Sequence, residues 1–212
     1  MKKESSFSLF VTFALKIKSG IMEIINLLEP DEARNGLLMD ALKNRKSTKE
    51  GYGEEISLRD LSDLLWAANG INRPETKDHT APSAMHACDV DVYVCKSEGN
   101  YLYDAVKHQL KLVSKVNLLP SLAITQEYVA SAKQIVVLVS DNRRIQQIND
   151  PNRLVILGGI DAGIVAQNIN LFCAANGLIV ATRGYMDSDA VAKGLNLEKG
   201  MHPMLNMPLG YR

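Results

Sequence analysis

Two short runs of alternating residues, only a few positions apart, constrain the fold of this chain more than any other feature. They are residues 90–95 (VDVYVC) and 101–103 (YLY), and the turn-forming residues 98–100 (EGN) lie between them. This pattern predicts two strands joined as an antiparallel hairpin. Residues 135–139 (IVVLV) form a continuous apolar run, which predicts a central strand buried on both faces. Because helices alternate with these strands and a hairpin does not fit a purely parallel sheet, we expect an α+β domain with a mixed or antiparallel central sheet.

A helix is predicted to begin at Ser57 and to run into Asn69 and Gly70. Asp60, three residues after Ser57, completes a capping pair at its first turn. The expected buried face consists of Leu61, Leu64, Leu65 and Ala68.

A second helix, at residues 160–175, is apolar on nearly every side. Gly158 and Gly159 precede it, and Asn176 and Gly177 are expected to end it as a C-terminal cap. Such a helix belongs in a core or a subunit interface rather than on a surface. The remaining elements expected near the C-terminus are a strand at 178–181, a short helix at 187–195 and an extended segment at 204–211.

The composition suits one globular domain and disfavours a general nucleic-acid binder. The chain has 212 residues, of which 46% are hydrophobic, and its 24 Lys and Arg residues balance 24 Asp and Glu residues. An anionic ligand must therefore be held by a local cluster of cations. Cys88, Cys95 and Cys173 lack metal-ligand spacing and the four histidines are scattered, so we expect no metal site and no nucleic-acid partner.

The first residues have some features of a signal peptide. Lys2 and Lys3 precede the apolar run at 7–15, but this run is too short to span a bilayer and lacks a small-residue cleavage site after it. We expect residues 1–28 to form an N-terminal segment, either a packed helix or a degenerate signal, before a domain at 29–212. No membrane span is expected. The predicted location is the cytoplasm, with export as the alternative if residues 1–20 act as a signal peptide.

A compact group of cations follows a helix predicted at residues 32–45. It contains Arg45, Lys46 and Lys49, with Ser47 between them. Positive charge is favourable at a helix C-terminus, so a solvated cap is one interpretation. The other is an anion site, in which Arg45 binds a phosphate with two hydrogen bonds, the lysines add point charges and Ser47 adds a neutral donor.

Two loops could bring the backbone close to a ligand. A tight turn is predicted at Pro82, Ser83 and Ala84, before the hairpin. By itself this motif also fits an ordinary turn without a ligand. Ser83 has no evident His and Asp partners, and no G-x-S-x-G, Walker A or G-x-G-x-x-G motif follows a strand, so the corresponding hydrolase and phosphate-loop classes are disfavoured. Gly184 indicates either another tight turn or a backbone pressed against a ligand.

In this order, the segments resemble the nitroreductase family of flavoproteins, in particular its thiazole/oxazole-dehydrogenase-like (SagB-type) branch. Residues 45–49 (RKSTK) resemble the family's Arg-x-Ser-x-Arg motif, and residues 82–86 (PSAMH) resemble its Pro-Ser-Ser/Ala-x-Asn turn. The other similar segments are the helix at 61–70, the central helix at 161–178 and the last strand at 208–211.

The resemblance implies a nitroreductase-like homodimer with two FMN molecules at the subunit interface. Hydride from NADH or NADPH would pass through flavin N5 to an electron-poor small molecule such as a nitroaromatic or a quinone, so no catalytic side chain is expected. The cofactor-binding residues implied by similarity are Arg45, Lys46, Ser47 and Lys49 for the phosphate, ribityl chain and pyrimidine edge; Pro82, Ser83, Ala84 and His86 lining the flavin; Ala181, Thr182, Arg183 and Gly184 along one ring face; and Arg212 as a further phosphate contact.

Three of these residues depart from the family pattern. Lys49 stands where arginine is usual, His86 where asparagine is usual and Arg183 where some relatives have glutamate. The departures bear on flavin affinity and substrate choice. Two alternatives to an FMN-dependent oxidoreductase therefore stay open, a flavin-binding or sequestering module with little turnover and a degenerate dimeric scaffold.

Overall fold

A computed structural model describes residues 23–30 and 38–212; the expectations for residues 1–20 and for the first half of the helix at 32–45 lie outside them. Helices and strands alternate along the described chain. In order they are β1 (Ile24–Asn26), α1 (Leu38–Asn44), α2 (Leu58–Asn69), β2 (Ile71–Arg73), β3 (Asp78–His79), β4 (Val90–Lys96), β5 (Asn100–Asp104), β6 (Gln109–Ser114), α3 (Leu119–Ala123), α4 (Glu127–Ala130), β7 (Gln134–Asp141), α5 (Pro151–Ala175), β8 (Leu178–Val180), α6 (Ser188–Gly194) and β9 (Met201–Tyr211). Short 3-10 turns occupy Ala84–His86 and Asn142–Arg144.

Seven of the strands form one sheet in which every neighbouring pair is antiparallel. The order across the sheet is β1-β6-β5-β4-β7-β9-β8. The predicted hairpin is confirmed as β4 and β5, and the sheet is antiparallel rather than mixed. β1 lies within the segment at 1–28 that the sequence set apart, and it pairs with β6 at the edge of the sheet. β2 and β3 pair separately in the loop after α2.

Strand β7 is buried along its whole length, as predicted for residues 135–139, and it divides the core into two layers. Successive side chains of a strand point to opposite faces of the sheet. Ile135, Val137 and Val139 accordingly pack with α3, α4 and α6, whereas Val136 and Leu138 pack with α2 and α5. Helices therefore cover both faces of the central sheet.

Helix α2 has the predicted cap and the predicted buried face. The Ser57 hydroxyl accepts a hydrogen bond from the Asp60 backbone N–H at 3.0 Å. Leu61, Leu64, Leu65 and Ala68 are all at most 2% exposed.

Helix α5 begins earlier than the sequence indicated. We expected its start after Gly158 and Gly159, but the helix begins at Pro151, where the Asp150 side chain accepts a hydrogen bond from the Asn152 N–H at 3.0 Å. Both glycines are therefore interior. The helix ends at Ala175, followed by Asn176 and then Gly177 with φ +71°, as predicted.

Helix α5 is the core helix of the protein. Within the described residues, it alone is long and apolar enough to cross a membrane. It packs instead against α1, α2, β7, β8 and β9. Its length and apolar character therefore follow from burial on one side.

Candidate functional site

Residues 45–49, which we call the basic strap, lie across the end of β8. The Thr48 N–H donates to the Val180 carbonyl oxygen at 3.1 Å, and the Tyr52 hydroxyl donates to the Thr48 carbonyl oxygen at 2.6 Å. Tyr52 is fully buried, and this burial raises the pKa of its hydroxyl far above the usual value, so it remains a donor. The strap backbone is thus fixed while its side chains project outward. The exposed ones include Arg45, Lys46, Ser47 and Lys49.

The C-terminal residue Arg212 reaches the same place. Its N–H donates to the Gly177 carbonyl oxygen at 3.2 Å, and its Nη2 donates to the Asn44 carbonyl oxygen at 3.5 Å, immediately before the strap. The chain can cross here because Gly210 lacks a side chain: a Cβ at this position would lie 2.8 Å from the Gly51 carbonyl oxygen.

The cations of the strap and the C-terminus have no carboxylate partner within the part of the chain that the structure describes. The group consists of Arg45, Lys46, Lys49 and Arg212. Its uncompensated charge and its hydroxyl donor at Ser47 form a donor set that suits a phosphate group.

The loop at residues 181–184 begins beside the strap, directly after Val180. The Thr182 hydroxyl accepts a hydrogen bond from Asn170 Nδ2 of α5 at 2.9 Å. Arg183 and Asn206 exchange backbone hydrogen bonds of 2.9 and 2.7 Å. The loop is therefore held between α5 and β9, with Thr182 and Gly184 exposed and Ala181 and Arg183 buried.

The side chain of Arg183, one of the predicted cofactor-binding residues, does not project from this loop. It is 7% exposed and donates from Nη1 to the Leu122 carbonyl oxygen, from Nε to Gln126 Oε1 and from Nη1 to Asn206 Oδ1. Its Nη2 has no partner among the described residues, and burial lowers the pKa of the guanidinium. With its N–H also committed to Asn206, Arg183 is a buried anchor of the loop.

Gly184 has no structural requirement for glycine in the described protein. Its φ is not positive, and an added Cβ would meet nothing nearer than the Met204 carbonyl oxygen at 4.0 Å. A tight turn that requires glycine is therefore not seen at this position, and contact with a ligand stays a prediction.

The turn at residues 82–86 is fastened to a different part of α5. The Ala84 N–H donates to Asp161 Oδ2 at 2.7 Å, and the Ser83 hydroxyl accepts from the Cys88 N–H at 2.8 Å. His86 is 73% exposed at its side chain, and its Nε2 lies 3.1 Å from Asp78 Oδ1.

Three residues in or just after this turn have left-handed backbone conformations that are unfavourable for side chains other than glycine. They are Met85, His86 and Cys88, with φ of 52°, 58° and 46°. Each such residue costs about 1 kcal/mol or more and persists only where surrounding contacts impose it. The turn is thus strained, and its contacts with Ser83 and Asp161 have to hold it.

Helix α5 shows how far apart these segments lie within one chain. Asp161 holds the turn and Asn170 holds the loop at 181–184. These two residues are nine positions apart, which corresponds to about 14 Å along the helix axis. Gly177, beside Arg212, lies a further two turns along. The strap and the loop are joined through Thr48 and Val180, whereas the turn is fastened elsewhere on the helix.

An apolar surface lies on the solvent side of α5. Val155, Ile156 and Ile160 are 45%, 52% and 52% exposed, and Gly159 and Gly163 on the same helix are exposed as well. The adjacent α1 contributes Leu38, Met39 and Leu42, which are also exposed. Exposed apolar side chains on two adjacent helices are typical of an interface with another protein surface.

The sequence model of the nitroreductase family matches residues 42–211, which include every element from the end of α1 to β9. The chain belongs to the nitroreductase family. It is 26% identical over 182 residues to MJ1384 of Methanocaldococcus jannaschii, a proposed nitroreductase, covering 82% of this chain and 90% of that protein. This is a likeness in sequence over nearly the whole of both proteins.

Solved structures extend the comparison. A crystal structure of a proposed nitroreductase from Ralstonia eutropha JMP134 is 32% identical, with a TM-score of 0.81 and coverage of 96% of this chain and 95% of that one. A chain of the Escherichia coli microcin synthetase McbBCD complex has the same fold at 18% identity, with a TM-score of 0.66 and coverage of 88% and 78%. The nitroreductase-like fold predicted from the sequence is thus confirmed.

Two residues that organise this nitroreductase-family site were not among the predicted ones. Asp161 fastens the turn and Asn170 fastens the loop, both from α5. The sequence did contain a signal for them, because each is a polar residue inside a markedly apolar helix. The structure shows that both are buried. Within the described residues, no group of His, Cys, Asp and Glu side chains is placed to bind a metal ion.

Proposed function

We propose that the protein is an FMN-dependent NAD(P)H oxidoreductase that works as a homodimer. Membership of the nitroreductase family supports oxidoreductase activity. The observation that carries the assignment of FMN is the cluster of four cations, which lack carboxylate partners among the described residues, beside the loop at 181–184 with its exposed Thr182 and Gly184. A phosphate at the cations and a planar ring along the loop together fit a flavin nucleotide.

Different residues of the protein would contact different parts of FMN. Arg45, Lys46, Lys49 and Arg212 would hold the phosphate, with Ser47 as a neutral donor. Thr182 and Gly184 would lie along the ring, because no side chain at Gly184 keeps it away. The buried Arg183 would fix the loop from behind. Bound FMN would supply the redox chemistry, taking hydride from NADH or NADPH and giving it to an electron-poor acceptor such as a nitroaromatic or a quinone.

The turn at residues 82–86 would reach the flavin from the second subunit. In one chain it is fastened to α5 about 14 Å along the helix axis from the residue that holds the loop at 181–184, so in this proposal the loop and the turn at one flavin come from different copies. The exposed apolar surface on α1 and α5 offers a contact between two copies. A two-fold dimer would use this surface twice and bring the turn of each copy to the site of the other.

Two further expectations remain proposals. The SagB-type branch is favoured by the motifs of the sequence, and the fold shared with a McbBCD chain is compatible with it.

We propose a cytoplasmic location, with export as the alternative if residues 1–20 act as a signal peptide. N-terminal sequencing of the protein from its native cell distinguishes the two, because export would remove the first residues.

Flavin binding is the first test. Titration of purified apoprotein into FMN should quench flavin fluorescence and give saturable binding that weakens with added salt, as expected for a phosphate held by exposed cations. Arg45→Ala should weaken binding roughly 10- to 100-fold, since a hydrogen-bonded charge pair contributes about 1.5–3 kcal/mol. Lys115→Ala, which removes an exposed cation outside the cluster, should leave the dissociation constant unchanged.

Turnover is the second test, and it separates the alternatives. Anaerobic addition of NADH or NADPH should bleach the bound flavin rapidly, and a quinone should restore its colour. Binding without rapid bleaching would support a sequestering module instead. A dimer that takes up no FMN would support a degenerate scaffold and overturn the proposed activity.

A further inference from the structure

Two aspartates form a buried pair behind the turn at residues 82–86. Asp89 lies just before β4 and is 0% exposed, and Asp161 lies on α5 and is 2% exposed. In the described part of the chain, neither carboxyl group has a lysine or arginine within salt-bridge distance. Buried carboxylates without cations are costly, so this pair needs another explanation.

The hydrogen bonds around the pair leave one carboxylate oxygen without a donor among the described residues. The Ser140 hydroxyl donates to Asp89 Oδ2 at 2.5 Å, and the Ala84 N–H donates to Asp161 Oδ2 at 2.7 Å. Asp89 Oδ1 is buried and has no donor among the described residues, and Asp161 is the neighbouring carboxyl group that helps to raise the pKa of Asp89. Two acceptors can face each other favourably only when one of them is protonated.

Charged groups on the neighbouring elements also face the pair. Asp91 at β4 and Asp141 at the end of β7 add two carboxylates, and Arg143 and Arg144 are engaged by them. Burial, followed by the hydrogen bond and charge of Asp161, raises the pKa of Asp89 to about 6, against the opposing effect of the Ser140 hydrogen bond. On the turn itself, His86 faces Asp78.

The pair is connected to the turn through one hydrogen bond. Ala84 directly precedes the strained residues Met85 and His86, and its N–H ends on Asp161. A protonated Asp89 can donate to Asp161 from the other side and keep that carboxylate in place. If both aspartates are ionised, Asp161 loses this donor and gains a repelling neighbour.

We propose that Asp161 is a positioning residue for the flavin-lining turn, and that Asp89 keeps it in place by a proton shared between the two carboxyl groups. The inference rests on the proposed function, because it assumes that this turn contacts FMN. It adds a pH dependence to the site: the turn is held in its binding conformation while the pair is protonated and is released as the pair ionises.

The test uses isosteric variants of the full chain. In Asp89→Asn, the amide can accept from Ser140 and donate to Asp161, so it imitates the protonated pair at every pH. Asp161→Asn retains an acceptor for Ala84 and a donor for Asp89, whereas Asp161→Ala removes both. Asp189→Asn, at an exposed position on α6, is the matched control.

The dissociation constant of FMN is measured by fluorescence quenching for each protein at about pH 5.5 and at about pH 7.5. If only the protonated pair binds, the wild-type value should rise by up to roughly 25-fold between about pH 5.5 and 7.5 relative to Asp89→Asn, a ratio from which the titration of the FMN phosphate itself cancels. Asp189→Asn should follow the wild type. Asp161→Ala should bind at least about tenfold more weakly at both pH values, and Asp161→Asn should restore binding.

A second readout needs no flavin. The Ala84 amide resonance of the apoprotein should shift with pH in the wild type and stay constant in Asp89→Asn. If FMN binds but Asp89→Asn has the wild-type pH profile, or Asp161→Ala binds like the wild type, the inference is wrong. If FMN does not bind at any pH, the proposed function is wrong instead. If the Ala84 resonance shifts identically with pH in the wild type and in Asp89→Asn, the two carboxyl groups share no proton and the inference is wrong as well.

Discussion

Replacing Gly158 with alanine should destabilise the protein, although alanine is the better helix former. A Cβ at this position would clash with Ser140 Oγ and lie 2.7 Å from Ser140 Cβ and 3.1 Å from Met204 Cε, where α5 packs against β7 and β9. Overpacking of this kind costs about 1–3 kcal/mol. Displacing the Ser140 hydroxyl from Asp89 costs a similar amount, whereas the helix gains about 1 kcal/mol from alanine. We expect a net loss of about 2–4 kcal/mol, or roughly 5–15 °C in Tm.

The neighbouring glycine provides the control. A Cβ on Gly159 would meet nothing within 4 Å, so Gly159→Ala should leave the free energy of unfolding unchanged or raise it by up to about 1 kcal/mol. Urea and thermal unfolding measure both variants, with light scattering to record whether assembly changes. Adding Ser140→Gly to Gly158→Ala should recover part of the loss, because it removes the clashing side chain. Equal stability of the two alanine variants would refute the reasoning.

Three further substitutions test other parts of the structure. Ile160→Asp should halve the molar mass in light scattering by placing a charge on the apolar surface of α5, whereas Val106→Asp, at a 71% exposed position elsewhere, should not. Arg183→Ala should lower the free energy of urea unfolding by about 2–4 kcal/mol, because it leaves buried acceptors unpaired; an unchanged midpoint would contradict this. The raised pKa of Asp89 should make the wild type lose up to about 3 kcal/mol of stability relative to Asp89→Asn as pH rises from about 4 to above 6.

The fold was largely predictable because its signals are local. Alternation at residues 90–103 and the apolar run at 135–139 depend on neighbouring residues alone, and both became antiparallel strands. The start of α5 was not predictable in the same way. Gly158 and Gly159 look like a helix boundary locally, but Gly158 is required by the side chain of Ser140 on a different element.

The candidate site was predictable only in part, for a similar reason. The strap and the loop at 181–184 could be recognised as short motifs, and the structure brings them together through Thr48 and Val180. The role of Arg183 depends on acceptors at Leu122 and Asn206, and that of Asp161 on Ala84, all distant in sequence. Spacing within a motif carries no information about such partners, so a cation expected to face a ligand could turn out to be buried.

Helix α5 links flavin binding to dimer formation in the proposed arrangement. Its buried side holds Asp161 and Asn170 at a fixed separation, and its exposed side carries the apolar surface at Ile156 and Ile160. A ligand that touches the loop of one copy and the turn of the other binds only to the dimer. Such a ligand must stabilise the dimer by mass action, and dilution of the dimer must weaken the ligand by the same coupling free energy. The apparent affinity for FMN should therefore depend on protein concentration near the dimer dissociation constant, and Ile160→Asp should lose flavin although it changes no residue of the cation cluster.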